Sequence, residues 1–223
     1  MPRIPRLGIV ALLCALPTLH ASAAPAASAA PLRVASSASD PSAEEAPPAV
    51  EPPPRVALET RLGRVVIELD PVRAPRTVAN FLAHVDAGHY SGTIFHRVVP
   101  SLLVQGGAYT PDLQPKPERA PVPLESDNGL SNVRGAVAAA RRPDRRDSAT
   151  SQFFINLVDN PQFDAIDPDG DVGAGYAVFG RVVEGMDVLD RIGAVETGPQ
   201  GPFPARVPVT PIIIERAARI DSE

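Results

Sequence analysis

Between Val56 and Leu69, short apolar runs alternate with polar positions in two stretches, Val56-Ala57-Leu58-Glu59-Thr60 and Arg64-Val65-Val66-Ile67-Glu68-Leu69. A turn around Leu62-Gly63 separates them, which predicts a β-hairpin. The period then lengthens. Val78, Phe81, Leu82 and Val85 fall on one face of a 3.6-residue repeat, predicting an amphipathic helix over Ala74–Ala87. Pro75 stands near its start and Gly88 just past its end, where each suits a helix boundary. Strand-like runs follow at Ile94–Val99, Ala136–Ala140, Ser151–Leu157 and Ala177–Val183. A short second helix, Met186–Ile192, opens after Gly185, and a last strand, Ile212–Arg216, follows Pro211. Strands outnumber helices and connect mostly through loops. The pattern therefore predicts a mainly β domain, an antiparallel sheet closed into a barrel with two helices over its open ends.

Composition separates this domain from what precedes it. All ten aromatic residues of the 223-residue chain lie between Phe81 and Phe203, whereas 11 of its 27 prolines lie in residues 1–54. A stretch without aromatics and dense in Ala and Pro cannot bury enough apolar area to offset its ordering entropy. Two packed domains are excluded. Arg3 and Arg6, the apolar run Leu7–Leu19 and the small-residue set Ala21-Ser22-Ala23 have the layout of a secretory signal, residues 1–23. The run's 13 residues, mostly apolar, are too few to span a bilayer of roughly 30 Å. Residues 24–54 read as an Ala/Pro-rich linker, and 55–223 as the folded domain. Cleavage after Ala23 would remove Cys14, the only cysteine, so the mature chain would be indifferent to its redox compartment. These features predict a secreted, periplasmic protein with no stable membrane insertion after cleavage.

A net charge of −5 disfavours nucleic acid as a partner. The chemistry-bearing residues concentrate in three islands. They are Phe95-His96-Arg97-Val98-Val99-Pro100-Ser101-Leu102-Leu103-Val104-Gln105-Gly106-Gly107, Ser151-Gln152-Phe153-Phe154-Ile155-Asn156, and Tyr176-Ala177-Val178-Phe179-Gly180. Alternation along a strand sends Gln152 and Phe154 to one face and Phe153 to the other. One face can thus present a guanidinium, two amides and several apolar groups.

In this order, the islands resemble the cyclophilin family of peptidyl-prolyl cis/trans isomerases, from about Val56 to Ile220. The stretch Asp147–Asn156, with Tyr176 before Ala177-Val178-Phe179-Gly180, is most similar to the family's secreted bacterial branch. The resemblance implies an eight-stranded antiparallel closed barrel capped by two helices. It implies catalysis of Xaa–Pro isomerisation, with Arg97 as the catalytic arginine and Gln105 orienting it and the substrate backbone. It further places Ala140, Arg141 and Gln152 on the wall that pairs with the peptide backbone. Leu102, Leu103, Phe154, Phe163 and Tyr176 are placed in the proline pocket and its rim. Leu102-Leu103 stands where the family usually has Phe-Met, Arg141 replaces a more usual Asn, and Gln162 occupies a rim position often held by Trp. The last change implies weak binding of cyclosporin-type cyclic peptides.

The reaction breaks no bond, so it demands no nucleophile, metal or cofactor. His96, beside Arg97, therefore reads as a packed residue. Asp167-Pro168-Asp169-Gly170-Asp171 has alternating carboxylates, but Val178 stands where a calcium loop needs its bidentate Glu, so it reads as a turn. The run Arg141-Arg142-Pro143-Asp144-Arg145-Arg146-Asp147 reads as an exposed loop near the substrate groove. The expected partners are proline-containing peptides and unfolded exported proteins, served by a monomer. The rival reading is a proline-binding chaperone or scaffold with weak or no catalysis.

Overall fold

The structure, a computed structural model, describes residues 52–221. The signal reading for residues 1–23 and the linker reading up to residue 51 lie outside the described residues. Strands β1 (Arg55–Thr60) and β2 (Gly63–Leu69) form the expected hairpin, with Val56 opposite Ile67 and Leu58 opposite Val65. Thr60 secures the turn. Its Oγ1 accepts from Leu62 N at 3.1 Å and donates to Gly63 O at 2.9 Å.

Helix α1 (Pro75–Asp86) buries Val78, Phe81, Leu82 and Val85, the face its period predicts. Ala74 offers no side-chain cap. A distant carboxylate does that work: Glu125 accepts from Arg76 N at 3.1 Å, Thr77 N at 2.9 Å and Thr77 Oγ1 at 2.7 Å. Negative charge at the N-terminal end also complements the helix dipole.

The chain then forms β3 (Thr93–Ile94), β4 (Arg97–Val99), β5 (Leu103–Gly106), β6 (Ala136–Ala139) and β7 (Phe153–Asn156). After a 3-10 turn at Pro161–Phe163 come β8 (Val178–Glu184), α2 (Met186–Gly193), β9 (Thr197–Gln200), β10 (Phe203–Pro208) and β11 (Ile213–Ile220). Nine strands make one antiparallel sheet in the order β3-β11-β1-β2-β8-β6-β7-β5-β4, while β9 and β10 pair separately. The main core lies against one face of the curled sheet, where Leu58, Ile67, Phe153, Ile155 and Phe179 meet Phe81 of α1 and Leu189 and Ile192 of α2.

The pairing gives the mainly β, two-helix fold with a curled antiparallel sheet, a coarser match than the expected closed eight-stranded barrel. The ladder is open and counts nine strands, because the run Ile94–Val99 is broken at Phe95-His96. There the backbone leaves one partner for another. Ile94 pairs with Ile213 of β11 and Phe95 N donates to Ile212 O at 2.9 Å, whereas Arg97 pairs with Gln105 of β5. The crossing is tight. A Cβ at Gly106 would stand 3.0 Å from Ile94 O, and one at Gly107, whose φ is +94°, 2.9 Å from Ser151 O. The Gln105-Gly106-Gly107 sequence thus serves close packing beside the site.

Candidate functional site

On the sheet face opposite the main core, β4, β5, β7, β6 and β8 lie side by side. Cross-strand register lines up their outward residues: Arg97 faces Gln105, Gln105 faces Phe154, and Phe154 faces Ala138. At a strand spacing of about 4.8 Å, the row from β4 to β8 runs across about 19 Å of surface. This row forms the site.

One half is polar. Arg97 is exposed, and its Nη1 donates to Gln105 Oε1 at 3.2 Å. Gln105 Nε2 in turn donates to Gln152 Oε1 at 3.1 Å. Each amide oxygen accepts from the residue before it, and Gln105 offers its N–H₂ to the next. The chain of donors ends at Gln152 Nε2, which has no protein acceptor among the described residues. Arg97 keeps further guanidinium N–H donors for a ligand, since a guanidinium carries about five.

The other half is apolar. Phe154 is 3% exposed and packs edge-on against Phe163 at 5.6 Å and Tyr176 at 5.3 Å, and those two rings stand 5.6 Å apart. Leu103, Ala136, Ala138 and Val178 form the floor, with Leu102 and Ala140 at its margin. Edge-to-face contacts hold the rings without extra polar groups. Ala140 N donates to Gln152 O at 2.9 Å, extending the β6–β7 ladder beyond its regular end. Arg141 sits above the Tyr176 ring, Cζ to centroid 5.3 Å, and its Nε donates to Gly175 O at 2.7 Å. Where an Asn was expected from the resemblance, the arginine braces the pocket's aromatic wall. All ten residues assigned from the sequence thus fall on this one face or its edge.

Gln162 is exposed on the 3-10 turn, and its Nε2 donates to Asn160 Oδ1 at 3.0 Å. His96 points away from the site, 4% exposed and edge-on to Tyr109 at 4.8 Å. Burial first, and the Arg97 charge second, push its imidazole down to about 4, so it is neutral at physiological pH. The acidic turn is engaged with the arginine-rich loop: Arg146 N donates to Asp171 Oδ1 at 2.7 Å and its Nη1 to Asp169 Oδ1 at 3.4 Å.

A buried polar cluster beneath the pocket escaped the sequence reading. Asn160 Nδ2 donates to Leu102 O at 3.1 Å and to Asn156 Oδ1 at 2.8 Å, while Asn156 Nδ2 donates to Asn132 Oδ1 at 3.2 Å. Asp164 Oδ1 accepts from both Asn132 N and Nδ2, at 2.7 and 2.9 Å. The cluster ties the Leu102 turn to the turn bearing Phe163. The available signal was the recurrence of Asn at 156 and 160, the second directly before Pro161.

Comparison with known proteins agrees with the geometry. The model of the cyclophilin type peptidyl-prolyl cis-trans isomerase/CLD family matches residues 55–219. The peptidyl-prolyl cis-trans isomerase cyp18 of Streptomyces antibioticus is 51% identical over 162 residues, 73% of this chain and 96% of the relative. Peptidyl-prolyl cis-trans isomerase A of Dickeya dadantii is 48% identical over 162 residues, covering 73% and 82%. Among solved structures, a cyclophilin type isomerase of Cryptosporidium parvum superposes with a TM-score of 0.63 at 25% identity, over 76% of this chain and 99% of that one. A structure of that protein in the presence of the dipeptide Ala-Pro gives 0.62 at 25% identity, over 75% and 99%. With its Arg97-Gln105-Gln152 relay set beside an aromatic pocket and most of its length matched, this chain belongs to the cyclophilin-type peptidyl-prolyl cis-trans isomerases.

Proposed function

We propose that the protein isomerises Xaa–Pro bonds of exported polypeptides, with Arg97 as the catalytic group and the Phe154–Phe163–Tyr176 pocket as the proline site. One observation carries this reading: a cation, Arg97, and the aromatic Phe154 share one strand row, with two linked amides beside the guanidinium and the Phe163 and Tyr176 rings around Phe154. An Xaa–Pro bond resists rotation through amide resonance, whose barrier is about 18–20 kcal/mol, and uncatalysed turnover takes tens to hundreds of seconds. Twisting breaks the conjugation and leaves a lone pair on the imide nitrogen. Arg97 N–H groups donate there, an interaction available only to the twisted state, which is what lowers a barrier. Gln105 holds the guanidinium, and Gln152 Nε2 and the Ala140–Gln152 wall hold the substrate backbone. The proline ring enters among Phe154, Phe163, Tyr176, Leu102 and Leu103. No proton is transferred in this scheme, in keeping with the buried, neutral His96 facing elsewhere.

A relative of the same fold has been solved in the presence of Ala-Pro, the smallest peptide such a pocket would take. The strand Thr93–Val99, counted as one interrupted strand, would complete an eight-stranded barrel with its seam at Phe95-His96. The signal-like residues 1–23 and the Ala/Pro-rich spacer to 54 support secretion to the periplasm, where a monomer would act on unfolded exported chains. Leu102 supplies less ring-stacking surface than the aromatic expected there. That favours, as second reading, a proline-binding chaperone with weak catalysis. The exchange rate of an Ala-Pro peptide, measured by NMR with catalytic amounts of protein, separates the two. Acceleration is expected; binding without acceleration would favour the chaperone.

A further inference from the structure

We propose that the arginine-rich loop after β6 makes this site prefer proline segments with acidic side chains beside the proline. The inference rests on the isomerase reading above and specifies its substrate class. Residues 141–147 carry four arginines against two aspartates, in a chain whose net charge is −5. Their side chains do different work. Arg146 is engaged with Asp147, Asp169 and the Asp171 turn, which fixes the loop to its neighbour. Arg141 lies over Tyr176 and donates to the carbonyls of Gly175 and Arg142, at 2.7 and 2.9 Å, so the loop folds around it at the pocket edge.

Arg142 and Arg145 remain. Both are exposed, and among the described residues neither side chain has a carboxylate partner. Asp144, between them, is exposed as well, and Asp147 is partly committed to Leu124 N at 2.9 Å. The loop begins one residue past Ala140, whose backbone continues the β6–β7 ladder. A peptide extended along that wall would run out at the edge where the loop bearing Arg142 and Arg145 begins. Exposed cations at a rim act on encounter rate and on partner choice more than on tight binding, and salt screens them.

The test uses three series of peptides with one Ala-Pro core, each peptide carrying a single Glu, Gln or Lys at one of the other positions up to three residues either side of the proline. Catalysed exchange by NMR and Kd by titration are measured for each, at about 20 mM and about 500 mM salt, the second screening within about 4 Å. At low salt the Glu peptides should exceed the Lys peptides by about three- to tenfold in kcat/KM or affinity at one or more positions. High salt should shrink the ratio, and the Arg142→Glu/Arg145→Glu chain, checked for folding by circular dichroism, should invert it. Equal values for Glu and Lys peptides at every position overturn the proposal while turnover of the Gln peptides leaves the isomerase reading standing. Absence of turnover for all peptides overturns the isomerase reading instead, and the Kd series still decides the charge preference.

Discussion

Arg97 and Gln105 face each other across the β4–β5 ladder, and the guanidinium Nη1 of the first donates to the side-chain oxygen of the second at 3.2 Å. Because that oxygen is occupied, the Gln105 N–H₂ is directed to Gln152, and the orientation of both amides follows from one cation. Removing the cation should remove catalysis without unfolding the sheet, since Arg97 is exposed. Arg97→Ala should lower kcat/KM by about 100-fold or more, the scale of losing a preorganised donor. Arg97→Lys should keep only a small part, because an ammonium lacks the planar fork. Gln105→Leu, which leaves Arg97 in place but unheld, should fall in between, at about tenfold. Exchange rates alongside thermal unfolding curves check the series; loss of activity only together with loss of fold would refute the roles.

The buried asparagine cluster should set the pocket rather than the chemistry. Asn160 reaches Leu102 O and Asn156 Oδ1 through Nδ2, and its backbone carbonyl accepts from Phe163 N at 2.9 Å. Asn160→Ala leaves the buried Asn156 Oδ1 without its donor, worth about 1–3 kcal/mol of stability. It should also raise KM several-fold with kcat changed less, because the side-chain link from Asn156 through Asn160 to the Leu102 turn is lost, leaving Leu102 O only Leu157 N, while Arg97 keeps Gln105. Urea unfolding and a full saturation curve give the two readouts; an unchanged KM would limit Asn160 to stability.

Why the aromatic wall was legible in the sequence and the asparagine cluster was not has a physical answer. Strand alternation places side chains at a fixed period, so Phe153 and Phe154 could be sent to opposite faces from order alone. They do enter different clusters. The asparagines meet across 24 residues between Asn132 and Asn156, a contact that no local period encodes. The β9–β10 hairpin was missed for a different reason. Pro199, Pro204 and Pro208 lie within it, and proline within a run argues against a strand unless it is edge-like. That small pair stands apart from the main sheet, where proline is tolerated. The break at Phe95-His96 followed no apolar pattern either, since both residues are buried, and only the change of ladder partner ends the strand.

His96 should make the protein acid-sensitive in stability but not in catalysis. In the unfolded chain a histidine titrates near about 6.5, whereas folded His96 is pushed down to about 4 by burial and by Arg97. Between those values the unfolded chain binds the proton and the folded one does not. Stability is therefore complete above the unfolded value and declines as pH falls through about 4. His84 and His89, also lowered chiefly by burial, act with the same sign. The His96 share should approach about 3 kcal/mol at the acid end. Urea midpoints of wild type and His96→Phe at neutral and acid pH should converge or cross as pH falls. Catalysed exchange should stay flat between neutrality and mild acid, because the isomerisation transfers no proton.

Ser101 holds a strained turn at the mouth of the pocket. The β4–β5 connection closes by Leu102 N donating to Val99 O at 3.1 Å, and Ser101 adopts φ +55° to make it. Proline at position 100 suits the first corner, but an L-residue at the second crowds its Cβ against the backbone. Ser101 is exposed, so its side chain contributes little packing. Ser101→Gly removes the crowding and adds some freedom to the unfolded chain, which opposes the gain. The net effect should be stabilisation by about 0.5–1 kcal/mol, read as a higher urea midpoint at unchanged slope. KM should not rise, since Leu102 is held independently by Leu157 N and Asn160 Nδ2 on its carbonyl, at 2.9 and 3.1 Å. A destabilised variant would mean that the serine relieves the turn in a way its backbone geometry does not reveal, and a raised KM would show that the turn itself presents Leu102 to the proline.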